Sequence, residues 1–398
     1  MANESAISGG PSGSQWMPLW VPYIVSAILA YAILCSTLRY QRRDAMHKKF
    51  KFSDRKSYSR MTNVEAQAIF TYLGELEFPK IMETSSPETA SKRYADTSLL
   101  ITEFLSHHPQ SERAIKAIAR MNYIHSRYQK AGKISNDDLL YTLSVFITEP
   151  ITWVEKYEWR PMTEMEMCAI ATFWKSIGDS MGIGYGAQLA RSEWVDGLEF
   201  YEDIKNWAEA YEIRYMVPAQ SNKTTADELV PLLLFYVPAP LKTAASHIVS
   251  VLMGNRLRAA MSFPNPPAFY VNFAYIVFET RRFYLRHFSL PRPSFMRVRD
   301  IGDIPDPKTG RYHLKQYLAH PYYNKPGFLN RWGPEAWFVW YMGGDVPGSK
   351  GSQYIPEGYK FEEIGPSAMK NQGTKETKAW EEKLKAERPT GCPFRIAR

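Results

Sequence analysis

Cysteine is scarce in this chain, and the missing signatures narrow its chemistry. Cys35, Cys168 and Cys392 are the only three in 398 residues, and they form no CxxC pair. A disulfide framework and a thiolate zinc site are excluded, in keeping with a reducing compartment. The sequence holds no GxSxG, no P-loop, no GxGxxG and no HExxH, which removes elbow-type serine hydrolases, phosphate-loop NTPases, dinucleotide-binding folds and zincin proteases. Histidine is sparse as well, and apart from the adjacent His107-His108 no two histidines have metal-ligand spacing. A zinc hydrolase would need paired His and carboxylate ligands that this pattern lacks. The run Gly182-Ile183-Gly184-Tyr185-Gly186 follows no strand pattern and reads as a helix end.

What is present begins with charge placement. Trp16 to Leu38 is 23 residues without a charged side chain, long enough as a helix to cross a bilayer core of about 30 Å. Before it stands a single charge, Glu4; after it come Arg39, Arg42, Arg43, Lys48, Lys49, Lys51, Arg55, Lys56 and Arg60. A cleaved signal peptide carries its basic residues on the other side. The segment therefore predicts an uncleaved anchor with the amino terminus lumenal and the body cytosolic. The formal net charge of +8 is concentrated in this flank, where anionic lipid headgroups account for it better than nucleic acid.

The rest predicts an all-α body. Thr62-x-x-Glu65 and Thr163-x-x-Glu166 are capping boxes, and Ser111 and Ser135 open further helices. Helices are expected at 61–78, 89–107, 111–132, from 135 to before Pro150, from 163 to Gly178 or Gly182, and over 191–215, 225–237, 241–261, 267–288 and 371–388. The organisation predicted is a lumenal terminus 1–15, an anchor 16–38, a basic segment 39–60, a helical domain 61–290 and a proline- and aromatic-rich extension 291–398 packed on the domain or the membrane surface. Phe328, Trp332, Trp337, Phe338 and Trp340 lie in that extension. They fit either an interfacial patch or a loop-rich segment packing its rings onto the core.

Candidate chemistry centres on His125, which shares a helical face with Ile118, Met121 and Tyr128. An imidazole in that setting is either a satisfied core residue or an axial ligand to haem. Arg93 and Thr97 share one face of the preceding helix, and a short connection would make the two helices antiparallel neighbours. Arg93 is then either a partner for a haem propionate or a solvated surface charge, and Thr97 either touches bound oxygen or packs between helices.

Several longer stretches carry a resemblance. Lys92-Arg93-Tyr94-Ala95-Asp96-Thr97, Tyr123-Ile124-His125-Ser126, Asp138-Leu139-Leu140-Tyr141-Thr142-Leu143, Thr172-Phe173-Trp174-Lys175-Ser176, Leu290-Pro291-Arg292-Pro293 and Gly391-Cys392-Pro393-Phe394 closely resemble the MpaB family. These are fungal endoplasmic-reticulum-bound oxygenases, grouped with the bacterial rubber oxygenase called latex clearing protein. The resemblance implies an all-helical bundle of the rubber oxygenase kind that binds haem b and uses dioxygen to cleave a carbon-carbon double bond of an isoprenoid chain. It also implies a setting in fungal secondary metabolism of the mycophenolic acid type. By position it implies His125 as the iron ligand, Arg93 as a catalytic and haem-binding residue, and Thr97 and Asp96 as catalytic residues on the distal side. Asp96 stands where the rubber enzyme has a lysine. After Phe78-Pro79 the chain is also shorter than the family pattern. Two readings follow: an oxygenase taking a lipophilic prenylated molecule from the membrane, or a membrane-tethered helical scaffold that has lost its cofactor.

Overall fold

The apolar run and its basic flank form one continuous helix. In the computed structural model, which describes residues 20–77, 88–297, 299–317, 320–388 and 391–394, helix α1 spans Trp20–Phe50. Among the described residues it is the one helix long and apolar enough to cross a membrane, and its 31 residues extend about 46 Å. Positions 16–19 of the predicted anchor lie outside the described residues. The basic segment is thus not a separate linker: the helix runs through it to Phe50, and His47, Lys48 and Lys49 occupy the last turn, where cations meet the negative end of the helix dipole.

The regular structure of the body is helical, and its only β features among the described residues are three isolated bridges, between Ile301 and Leu314, Tyr312 and Tyr359, and Leu314 and Asn324. After the single turn α2 (Arg55–Tyr58) comes α3 (Asn63–Tyr72), opened by the Thr62–Glu65 capping box and continued by a π-helical turn, Leu73–Glu77. Next follow α4 (Glu88–Ser106), α5 (Glu112–Lys130), α6 (Asn136–Tyr157) and α7 (Glu164–Met181). Then come α8 (Gly197–Tyr215), α9 (Gln220–Leu233), α10 (Lys242–Leu252), α11 (Gly254–Ala260) and α12 (Ala268–His287). Two short helices, α13 (Phe328–Trp332) and α14 (Pro334–Tyr341), and the terminal α15 (Thr374–Glu387) complete the chain.

Helix α7 is the central rod. Its residues from Cys168 to Gly178 are buried on every side, as expected of a helix that is apolar all round, and α3, α5, α6 and α8 pack against it. The helix ends at Gly182, whose φ of 72° is a left-handed cap. Where α8 begins, Gly197 lies so close to α7 that an added Cβ would sit 2.5 Å from the Cys168 carbonyl oxygen. Replacing Gly197 by Ala must push α7 and α8 apart, and overpacking of this kind costs about 1–3 kcal/mol. Thermal unfolding of the variant is expected to show a lowered Tm.

Two boundaries differ from the sequence expectation. Pro150 does not end α6, which continues to Tyr157. Proline forfeits one backbone bond and crowds the preceding turn, but Ile147, Ile151 and Val154 are buried on either side of it, and that packing holds the helix through the defect. The single helix expected over 241–261 is two, because Gly254 takes φ of 71° and breaks the ladder between α10 and α11. Pro87, expected at a first helical position, lies outside the described residues.

The carboxyl-terminal extension packs on the helical domain. Arg120 of α5 is among the largest fully buried side chains, and it donates to the carbonyls of Ile364, Met369 and Gln372. Helix α15 lies along α5, and the Gly391 carbonyl accepts from Asn63 N–H at the start of α3. The aromatic stretch is different: Phe328, Trp332, Trp337, Phe338, Trp340 and Tyr341 remain exposed rather than packing onto the core.

Candidate functional site

Ser111 caps α5, accepting from Ala114 N–H, and Pro109 stands in the turn that separates α5 from α4. This short connection makes α4 and α5 an antiparallel hairpin with packed helices. Arg93 precedes Pro109 by 16 residues (109 − 93) and His125 follows it by 16 (125 − 109), so the two occupy the same level across the hairpin. Thr97 is one turn further along α4.

The His125 imidazole is half-buried, and its Nδ1 is sealed from solvent without a hydrogen-bond partner among the described residues. Burial first, and then the charge of Arg93, push its pKa below the ordinary 6.5. The ring is therefore neutral at pH 7, the form that offers a lone pair to a metal. Arg93 and Thr97 are both exposed and make no hydrogen bond with another described side chain, so the face of α4 beside His125 is open. Among the described residues no group of three or more His, Cys, Asp or Glu is placed to hold a bare metal ion; the available donor is a single imidazole.

The lowered pKa has a measurable sign. An unfolded chain protonates His125 near pH 6.5, whereas the folded chain resists until lower pH, so the difference favours folding above 6.5 and is lost as pH falls toward the folded value. His125→Phe removes this dependence. In urea unfolding of haem-free protein at pH 7 and pH 5, the variant is expected to lose less stability on acidification than the parent.

Asp96 is turned to a different task. It is buried, and its carboxylate accepts from Tyr323 Oη at 2.7 Å, Lys92 Nζ at 2.6 Å and the Gly365 N–H at 3.0 Å. Burial raises its pKa above the ordinary carboxylate value, with Lys92 the largest opposing influence. Seven residues on, and so on the same helical face, Glu103 is fully buried. It accepts a bidentate pair from Arg113 at 2.6 and 2.9 Å and the hydroxyl proton of Tyr359. The two acids of α4 thus clamp the extension through Tyr323 and Tyr359, and Asp96 is a positioning residue for the helix that carries Arg93. The expectation that it faces the distal side with Thr97 does not match these partners. Tyr323, Tyr359 and Gly365 were not singled out in the sequence. The available signal was a pair of acids spaced i and i+7 around Leu99 and Leu100, since buried acids demand partners.

Residues 80–278 match the family described as ER-bound oxygenase mpaB/B'/Rubber oxygenase, catalytic domain. That match contains the whole α4–α5 hairpin. An ER-bound oxygenase mpaB' from Penicillium brevicompactum is 38% identical over 402 residues, covering 94% of this chain and 95% of the relative. The chain belongs to this oxygenase family. A second relative from the same organism, ER-bound oxygenase mpaB, is 35% identical over 90% of this chain and 91% of its own length. An ER-bound oxygenase mpaB from Penicillium roqueforti (strain FM164) is 37% identical over 62% of this chain and 92% of its own length. Membership makes the protein an oxidoreductase that uses dioxygen, and the helical fold agrees with the family. The point after Phe78-Pro79 where the chain is shorter than the family pattern falls in 78–87, outside the described residues.

Proposed function

We propose that this chain is a membrane-bound, haem-dependent oxygenase that cleaves a carbon-carbon double bond in the prenyl side chain of a lipophilic small molecule. The observation that carries the reading is the His125 imidazole: neutral, half-buried, with a sealed nitrogen that no described residue satisfies. A buried polar atom without a partner is unusual in a folded protein, and a ligand from outside the chain would complete the site. The residues present fit a haem with one protein ligand. When bound, haem supplies iron-centred activation of dioxygen.

The chain's own residues take the remaining tasks. His125 would hold the iron and so fix the cofactor at the α4–α5 hairpin. The exposed Arg93 guanidinium would pair with a haem carboxylate or orient dioxygen, since a planar cation with several donors suits a carboxylate. Thr97, one turn away, would offer its hydroxyl to the dioxygen co-substrate. Asp96 keeps α4 in register with the extension. Helix α1 supports the membrane part of the reading: with its basic flank on the body side, the body faces the cytosol at the endoplasmic reticulum. A prenyl chain partitions into lipid, so an anchored body meets its substrate at the bilayer. The setting we propose is fungal secondary metabolism.

The test is the visible spectrum of the detergent-purified protein, with the pyridine haemochrome after extraction, followed by mass spectrometry of a farnesylated phenol incubated with and without oxygen. A stoichiometric Soret band and oxygen-dependent shortening of the prenyl chain are expected. A folded protein that stays colourless after haem addition overturns the reading in favour of an inactive scaffold.

A further inference from the structure

Helix α12 is built inside out for a helix in water. Phe269, Phe273, Tyr275, Ile276, Phe283 and Tyr284 are exposed, and Ala274 is the one buried residue. Arg281 and Arg282 turn toward the protein. Arg281 donates to the Tyr157 carbonyl at 2.8 Å and to Glu158 at 2.7 Å, and Arg282 donates to the Glu158 carbonyl at 3.1 Å and to Glu279 at 2.8 Å. A surface helix normally presents the opposite arrangement. Each large apolar side chain left in water forgoes the gain of burial, and a patch of this size on a soluble surface marks an interaction site.

What covers it is indicated by its neighbour. Helix α12 packs on α1, and the join is polar and specific. Tyr31 Oη donates to the Phe288 carbonyl at 3.3 Å, Ser36 Oγ to the Arg286 carbonyl at 2.9 Å, and Arg39 Nε to the Ser289 carbonyl at 2.7 Å. Tyr31 lies eight residues before Arg39, the first charge after the apolar run, which is about 12 Å inside that run along the helix. The carboxyl-terminal end of α12 is thus fixed at the depth of the last turns of the span. Arg286, the one arginine near that end not tied to α6, reaches back to within 6.0 Å of the Tyr40 ring, at the level of the basic flank. With Glu279, Arg281, Arg282, Arg286 and His287 among its 20 residues, α12 is unsuited to crossing a bilayer but suited to lying in its interface.

We infer that α12 is a second bilayer-contacting element, lying in the interfacial layer beside α1 with its aromatic face on lipid and Arg281 and Arg282 on the protein side. This rests on the reading of α1 as a bilayer anchor. The body is then held at two places rather than one, which fixes its tilt relative to the membrane. An anchor alone would leave it free to rotate.

The experiment is photolabelling of the full-length protein in phosphatidylcholine vesicles doped with a phospholipid carrying a diazirine on its acyl chain, with adducts mapped by peptide mass spectrometry. Adducts are expected on both α1 and 268–287, with the α12 yield at least about ten-fold above that on the charged α15, because an interfacial helix sinks its apolar face to acyl-chain depth. Adducts on α1 with none above the α15 level on α12 overturn the inference while leaving the anchor intact. Absence of adducts on α1 overturns the anchor reading and the inference with it. No lipid adducts on α12, together with a dimeric mass for the same preparation by native mass spectrometry, overturn it in favour of a second chain as the occupant.

Discussion

Replacing His125 by Ala is expected to abolish haem retention while leaving the fold in place. The imidazole is the single donor at the α4–α5 hairpin, and its loss removes the only protein bond to iron in the proposed site. Loss of a partner that merely orients a ligand costs about 10–100-fold in metal affinity, so loss of the ligand itself exceeds that range. The fold should survive because the ring is half-buried and its Nδ1 makes no hydrogen bond to described residues. Truncation then costs about 1–2 kcal/mol, ordinary for a partly buried side chain. The measurement is the Soret absorbance per protein, read beside far-ultraviolet circular dichroism. An unchanged Soret band in a folded variant removes His125 from the site. Partial recovery of the band with added imidazole would distinguish a lost ligand from a lost structure.

Glu103→Ala should produce the largest loss of stability among single substitutions in the α4–α5 hairpin. Glu103 is fully buried and accepts two bonds from Arg113 and a third from Tyr359. Removing it strands the Arg113 cation, whose side chain is only 11% exposed, and removing one partner of a buried pair costs about 3–5 kcal/mol. The exposed pair Arg43–Asp44, with side chains 31% and 51% exposed, contributes at most about 1 kcal/mol by comparison. Because Glu103 also holds the extension through Tyr359, the loss should appear as early protease cleavage in 300–365 together with a lowered urea midpoint. Equal midpoints for Glu103→Ala and the parent would show that the extension docks independently of this carboxylate.

The two substitutions separate the roles of the hairpin's faces. One face carries His125, whose Nδ1 has no partner among the described residues, with Arg93 and Thr97 exposed beside it. The other, with Asp96 and Glu103, is saturated: each oxygen of Asp96 has a named donor. Saturated buried networks rigidify, and half-satisfied ones are costly unless a ligand completes them.

Sequence alone was enough for the long apolar helix with its basic flank, the all-α class and the hairpin that sets α4 against α5. Those features follow from local rules: an uncharged run of helical length, serine and threonine caps, and a short connection at Pro109. The capping boxes at Thr62 and Thr163 form as the spacing predicts, because each is settled within four residues. Contacts between partners far along the chain were not legible there. Asp96 meets Tyr323 across 227 positions and Glu103 meets Tyr359 across 256, and no local pattern specifies which acid a distant tyrosine will find. The same holds for α6 passing Pro150, where packing outweighs a local defect, and for α12, whose Arg281 and Arg282 turn toward the protein because Glu158 at the end of α6 waits there. Helical spacing fixes which residues share a face, but it leaves open which face the rest of the chain will cover.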